Sequence, residues 1–341
     1  MNGGVEYFYI QMEHTNRIIH LIKQYCSQLK LNLEGQVVLT ELASGPYRYL
    51  PAIAAFAGAK KVIAYTKDSK YGKTKDIIKE GKMFFERLNV IDKIHIKTDL
   101  NDQDFSEATL VTNSGFLRPI NHYFIEKLTP GTAISLMYDA WELRDDEISI
   151  ESCKKRDIKI TGTNENAEHF PIFSYCSPLI LKMVFNAGYE VLNNTILVWS
   201  SDDFGIQAKQ AFENNGAKEV IVTTDRSILD RHLSSLDFIF ICNYEQKTPY
   251  FKDGGCFDVS NFVKQNPAIG IIHLFGEIGT DALEKNAIFY YPKREGKACQ
   301  MAYTLADLSP LPLLKLQIAS LKAGQSVIEG SHDDLVQPIN F

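Results

Sequence analysis

ILVWSSDDFGIQAKQAFENNGAKEVIVTTDRS, residues 196–227, reads as a buried strand, a glycine-containing turn, a helix, then Gly-Ala-Lys and a strand ending at an acid. An earlier stretch, VVLTELASGPYRYLPAIAAFAGAKKVIAYTKDS at residues 37–69, has the same order. Each unit needs a glycine to end its helix before a Val/Ile strand, so the echo follows from β-α-β construction without recent duplication. Working outward, strand and helix patterns alternate almost throughout. In the first half, strands are expected at Gln36–Thr40, Lys61–Tyr65, Ile94–Ile96, Thr109–Thr112, Ala133–Met137 and Ile158–Thr161. The second series is expected at Thr195–Trp199, Glu219–Thr223, Phe238–Cys242, Gly270–Leu274 and Ala287–Tyr290. Helices are expected at Gln11–Leu29, Tyr47–Ala57, Lys73–Leu88, Pro178–Ala187 and Pro312–Ala323, the last followed by a polar tail. Such alternation means α/β architecture: two doubly wound, mainly parallel sheets.

The composition agrees and narrows the function. The chain has 341 residues, 45% hydrophobic and 23% charged, with 21 Gly and 12 Pro. At roughly 150 residues per domain this is about two domains. We place them at 1–184 and 185–305, with a C-terminal helix and tail at 306–341. The 36 basic and 42 acidic residues leave a net charge of -6, without the basic excess of a nucleic-acid-binding face. No apolar run is long enough to span a bilayer, and Met1–Glu6 lacks the order of a signal peptide. Six scattered cysteines form no metal-ligand spacing and suit reduced thiols in the cytoplasm. The expectation is a cytoplasmic protein with no metal, no membrane and no nucleic-acid partner.

In open parallel sheets, ligands bind beyond the carboxyl ends of the strands, where helix N-termini meet anions. The window Ser200-Ser201-Asp202-Asp203-Phe204-Gly205 stands where G-x-G-x-x-G would fall, and only Gly205 is retained. Asp225, at the end of the next strand, is placed to accept hydrogen bonds from an adenosine ribose. Ser200, Ser201, Asp202, Gly205 and Asp225 are therefore the candidate cofactor-binding residues. Asp202 stands where a pyrophosphate normally rests; a carboxylate there is repulsive and instead suits a helix cap. NAD or NADP is the first cofactor expectation; S-adenosylmethionine or another adenosyl ligand, which lacks the pyrophosphate, is the alternative. In the first unit, Glu41–Tyr47 offers a looser acid-and-glycine turn like that of adenosyl-dependent methyltransferases, with Asp68 as the ribose acid.

From Ala108 onward, ATLVTNSGFLRPINHYFIEKLTPGTAISLMYDAWELRDDEISIESCKKRDIKITGTNEN resembles the catalytic-domain end of the formate/glycerate (D-2-hydroxyacid) dehydrogenase family. Leu236–Cys242 is similar to that family's strand before the nicotinamide loop, and Ile269–Leu283 to the segment carrying its arginine. S-adenosylhomocysteine hydrolase shares the architecture. The resemblance, over about residues 108–300, implies two Rossmann-like domains, an interdomain cleft and a homodimer. It also implies an arginine near Gly276 and a histidine acid/base at Tyr291-Pro292-Lys293; neither is present. Glu277 and Glu284 give no clear match to the family's glutamate.

Strand-end loops are the remaining source of chemistry. Arg118 either fixes a carboxylate or phosphate with its fork or pairs with a neighbouring acid. Glu142, Glu165 and His169 are candidate proton-transfer groups, or simply solvated. Trp141 either stacks on a planar ring or packs structurally. His273 reads as a satisfied buried histidine. Arg118, Glu142 and His169 are taken as catalytic candidates. Asn113, Ser114, Tyr138, Trp141, Asn164 and Glu165 are taken as contacts to a small-molecule substrate. The functional expectation is an oxidoreductase-like enzyme, or else an adenosyl-ligand enzyme or a non-catalytic metabolite-binding descendant.

Overall fold

The computed structural model describes residues 3–144, 146–294 and 296–339. Met1 and Asn2, where the signal-peptide expectation begins, lie outside the described residues. The strands are β1 (Val37–Glu41), β2 (Lys61–Tyr65), β3 (Ile94–Lys97), β4 (Leu110–Thr112), β5 (Ala133–Ser135), β6 (Lys159–Thr163), β7 (Thr195–Trp199), β8 (Glu219–Thr223), β9 (Phe238–Ile241), β10 (Gly270–His273), β11 (Phe289–Tyr291) and β12 (Val336–Pro338). They form a seven-stranded and a five-stranded sheet. The chain divides into two compact units, residues 1–172 with 309–341, and residues 173–308.

In the first unit the order β3-β2-β1-β4-β5-β6 is parallel throughout, and it is the order of a dinucleotide-binding doubly wound sheet. β12 closes the β6 edge antiparallel, pairing Val336 with Thr163 and Pro338 with Thr161. This strand lies in the segment whose composition reads as a polar tail. A three-residue edge strand needs little apolar signal, because only one of its edges is paired. The Pro310–Glu329 helix is not a separate appendage either. It packs against β4, β5 and β6, and Ser320 Oγ hydrogen-bonds Ser135 Oγ at 2.9 Å. Gly324 lies so close to Leu110 that a Cβ there would meet a methyl at 2.5 Å.

The second unit has order β8-β7-β9-β10-β11, all parallel. Alternate residues of one strand enter opposite cores, as the strand period of two requires. Ile196, Val198, Phe238 and Phe240 meet the helices Cys176–Asn186 and Asp203–Asn214. Leu197, Trp199, Ile239 and Ile241 meet the other face, under Arg226–His232 and Val259–Gln265. Cys176, Leu179, Ile180 and Met183 belong to the first of these cores. The chain therefore changes unit at 172/173, ahead of the helix, where the sequence reading sets the division at 184/185. At the other end, β11 begins at Phe289 instead of Ala287, because Ala287 has left-handed φ of +57° and ends the preceding turn.

Candidate functional site

In the second unit the switch point lies between β7 and β9, whose neighbours connect in opposite directions. A cavity of about 590 Å³ opens beside it, lined by the Ser200–Gly205 turn, by Ile206, Lys209 and Glu213 on the helix, and by Val222 on β8. Gly205 has a definite reason to be glycine: a Cβ would lie 2.8 Å from both Cβ and Oγ of buried Ser200. That is the job of the last glycine in the dinucleotide fingerprint, close packing of helix on strand end. Asp202 caps the helix. Its Oδ1 accepts from Phe204 N at 3.0 Å and from Ser200 Oγ at 2.8 Å, while Oδ2 accepts from Tyr244 N at 2.7 Å. Around it, Phe204, Tyr244 and Phe275 interlock, with Phe204 and Phe275 edge-on at 4.6 Å. Ser201 and Asp203 are exposed on the rim. Asp225 is exposed, lies outside the cavity lining, and caps its own helix by accepting from Ser227 N at 2.8 Å.

The first unit concentrates carboxyl groups at the ends of β1, β5 and β6. Asp139, Glu142 and Glu165 bring oxygens within 4.8 Å of one another. Asp139 follows β5 and accepts from Glu165 N at 3.3 Å; Trp141 and Gln337 side chains also bond it. Glu165 follows β6 and is 8% exposed. Burial, and then the charges of Glu142 and Asp139, push the Glu165 carboxyl well above the ordinary range. Burial first, and the Asp139 charge next, push Glu142 up to about 7, with Arg144 opposing. Burial also raises Asp139, against the donors that hold it.

Beside this trio, Glu147 gathers its neighbours. Arg118 reaches its Oε1 at 2.6 Å, Arg144 reaches the same oxygen at 2.8 Å, and the Tyr138 hydroxyl donates to Oε2. Burial acts to raise Glu147, yet Tyr138 and the two arginines hold it below the ordinary range. At the β1/β4 switch point, buried Glu41 accepts from Phe116 N at 2.8 Å, and Thr40, Thr112 and Ser114 hydroxyls run beside it in a chain. Burial raises its carboxyl; the Phe116 and Gly115 amides, Arg118 and Lys67 oppose.

The sequence candidates thus separate. Glu142 and Glu165 come together, joined by Asp139, which the sequence reading passed over although it sits in the same acid-rich turn. Arg118 and Tyr138 meet on Glu147. Ser114 Oγ accepts from Glu41 N at 3.2 Å, and Asn113 Oδ1 accepts from Met137 N at 2.7 Å. Asn164 and His169 go elsewhere: Asn164 Nδ2 donates to the Asp334 carbonyl and His169 Nδ1 faces the Asp334 carboxylate, each at 2.8 Å. They tie down the C-terminal segment. Trp141 is 54% exposed, and its side chain bonds Asp139. Asp68 bonds Thr74 and Lys73, a helix-start arrangement. Glu41 and Tyr244 were legible only as part of a turn and a loop.

The positions where dehydrogenase chemistry would fall are occupied otherwise. Gly276 has φ of +85°, and a Cβ there would meet the Tyr250 ring at 2.9 Å, leaving no place for an arginine side chain. Lys293 is exposed, its Nζ 3.5 Å from the Tyr290 ring centre. His273 is buried, with Nε2 3.2 Å from the Pro292 carbonyl, and burial takes it down to about 4, so it is neutral near pH 7.

No family model matches the chain, and no curated protein does. Among solved structures, the fold is similar to a dipicolinate synthase polypeptide from Bacillus subtilis: TM-score 0.52, 11% identity, covering 88% of this chain and 99% of that one. The corresponding dipicolinate synthase polypeptide from Bacillus halodurans gives 0.51 at 12% identity, covering 87% and 98%. A Ralstonia solanacearum protein described as a D-3-phosphoglycerate dehydrogenase oxidoreductase gives 0.50 at 9% identity, covering 88% and 96%. The fold shared with these structures is a pair of doubly wound Rossmann-like units. At these identities the likeness is one of fold. Among the described residues no helix is long and apolar enough to cross a membrane.

Proposed function

We propose that this protein is a small-molecule enzyme of oxidoreductase-like architecture that holds the adenosine part of a nucleotide-type cofactor in its second unit. The observation that carries the reading is the cavity of about 590 Å³ at the Ser200–Gly205 turn, with Gly205 packed on Ser200. Its volume lies within the roughly 300–1,000 Å³ of small-molecule sites, and its place is the carboxyl end of a doubly wound sheet. NAD, NADP and S-adenosyl compounds share the adenosine that would fill it. In the first unit we assign proton transfer on the substrate to Glu142, whose carboxyl is pushed up to about 7 by burial first and by the Asp139 charge next. The same proposal makes the chain a cytoplasmic homodimer that acts without nucleic acid.

A thermal-shift panel of NAD, NADP, S-adenosylmethionine and S-adenosylhomocysteine at millimolar concentration tests the reading. At least one should raise the melting temperature by a few degrees; silence from all four would sink it. A second reading, ligand binding without turnover, is favoured by Gly276 and Tyr250 filling the position of the dehydrogenase arginine. Stabilisation by a ligand with no change in added substrates would select it.

A further inference from the structure

We infer, on the reading that the Ser200–Gly205 cavity holds adenosine, that its ligand presents an uncharged or cationic group to the turn, as an adenosyl thioether or sulfonium does, and not a phosphate. In a dinucleotide site the first-turn amides of the helix and the neighbouring loop are left open for the anion. Here the anion is built in. The Asp202 carboxylate spans the switch point, taking the Phe204 amide on one oxygen and the Tyr244 amide on the other, at 3.0 and 2.7 Å. Ser200 Oγ adds a third donor at 2.8 Å.

The arrangement is fixed from both sides. Tyr244 lies stacked on Phe204 and edge-on to Phe275 at 5.4 Å, so the loop carrying its amide is anchored in the apolar core. Gly205 N donates to Asp202 O at 3.0 Å, which seats the helix start on the same residue. The remaining wall of the cavity carries two acids, Asp203 and Glu213, against one cation, Lys209, 3.8 Å from Glu213, and so stays negative on balance. A phosphate entering beside Asp202 would meet like charge and donors already taken. An adenosyl group without phosphate meets Ile206 and Val222, apolar side chains 54% and 41% exposed, which suit the face of a base. A sulfonium would gain from the carboxylates.

Adenosine and AMP differ only in the 5′-phosphate and therefore isolate the inference. Calorimetric titration of the full chain should give adenosine and S-adenosylmethionine at least tenfold tighter than AMP, ADP-ribose or NAD. In Asp202→Asn the amide oxygen still caps Phe204 N, the charge is gone and the amide nitrogen no longer accepts from Tyr244 N, which frees that donor for an anion, so the preference should shrink to within about threefold. AMP or ADP-ribose binding as well as adenosine to the wild type would overturn the inference, and that ranking needs no variant to fold. An unchanged preference in folded Asp202→Asn would overturn the role given to this carboxylate. If no adenosine-containing probe binds, the proposed function fails together with the inference; if AMP wins, the proposed function survives alone.

Discussion

The two units apply one plan, a doubly wound parallel sheet with its carboxyl edge free for chemistry, and treat charge at that edge in opposite ways. In the second unit the carboxylate at the switch point has a donor for each oxygen, aromatic rings fill the space behind it, and the buried histidine is neutral. In the first, buried carboxyls crowd one another: Asp139, Glu142 and Glu165 come within 4.8 Å, and Arg118 and Arg144 pair with Glu147 instead. Satisfied polar groups rigidify; like charges held together keep their protons to higher pH. The comparison therefore locates rigidity in the second edge and titration near neutrality in the first.

The largest expected effect is steric. Gly162 of β6 has no room for a methyl: a Cβ would lie 2.5 Å from the backbone nitrogen of Ala140 and 2.7 Å from its Cα. Gly162→Ala should destabilise the first unit by about 3 kcal/mol, since backbone must move. Gly205→Ala in the second unit meets the Ser200 side chain at 2.8 Å and should be milder, about 1–2 kcal/mol. Urea unfolding of both variants checks the ranking, and a milder Gly162→Ala would break it.

Next comes pH, where the units should respond with opposite sign. Glu142 rises from 4.5 to about 7, so the folded first unit keeps a proton that the unfolded chain loses. Its stability is then full below pH 4.5 and declines as the pH rises toward 7. His273 falls from 6.5 to about 4. The second unit is at full strength above pH 6.5 and loses up to about 3 kcal/mol as the pH falls toward 4. Hydrogen exchange resolved by segment across pH 4–8 would show protection moving in opposite directions. Glu165→Gln should flatten the response of the first unit alone, and His273→Gln that of the second. Equal slopes in both units would contradict the contrast.

The smallest effect concerns Arg118. If its role is to hold Glu147, as the 2.6 Å pair indicates, Arg118→Lys should cost under about 1 kcal/mol. Loss of substrate affinity at unchanged stability would instead assign it to a ligand. Unfolding and binding measured on the same sample separate the two.

The second unit was the more legible. Thr195–Trp199 and Glu219–Thr223 emerge within the bounds read from the sequence, and Asp202 caps the helix that its position suggested. Gly205 also fell into place, because a glycine between strand and helix has few other uses. The first unit was legible as strands but not as a site. Asp139 and Glu165 are 26 positions apart and meet only because β5 and β6 are neighbours. Arg118 meets Glu147 across 29 positions, which no local spacing marks.

What the sequence determined by itself was therefore the alternation of strand and helix, the two sheets and the caps. Each depends on residues within a few positions of one another, through backbone hydrogen bonding and periodic burial. The tertiary structure decided strand order, the place of the Pro310–Glu329 helix in the first unit, and the closure of that sheet by β12. It also decided which carboxyls crowd together and which one takes the amides at the switch point. Asp202 finds Tyr244 42 residues away. Proximity of that kind is set by packing two strands side by side, and burial then turns proximity into charge chemistry.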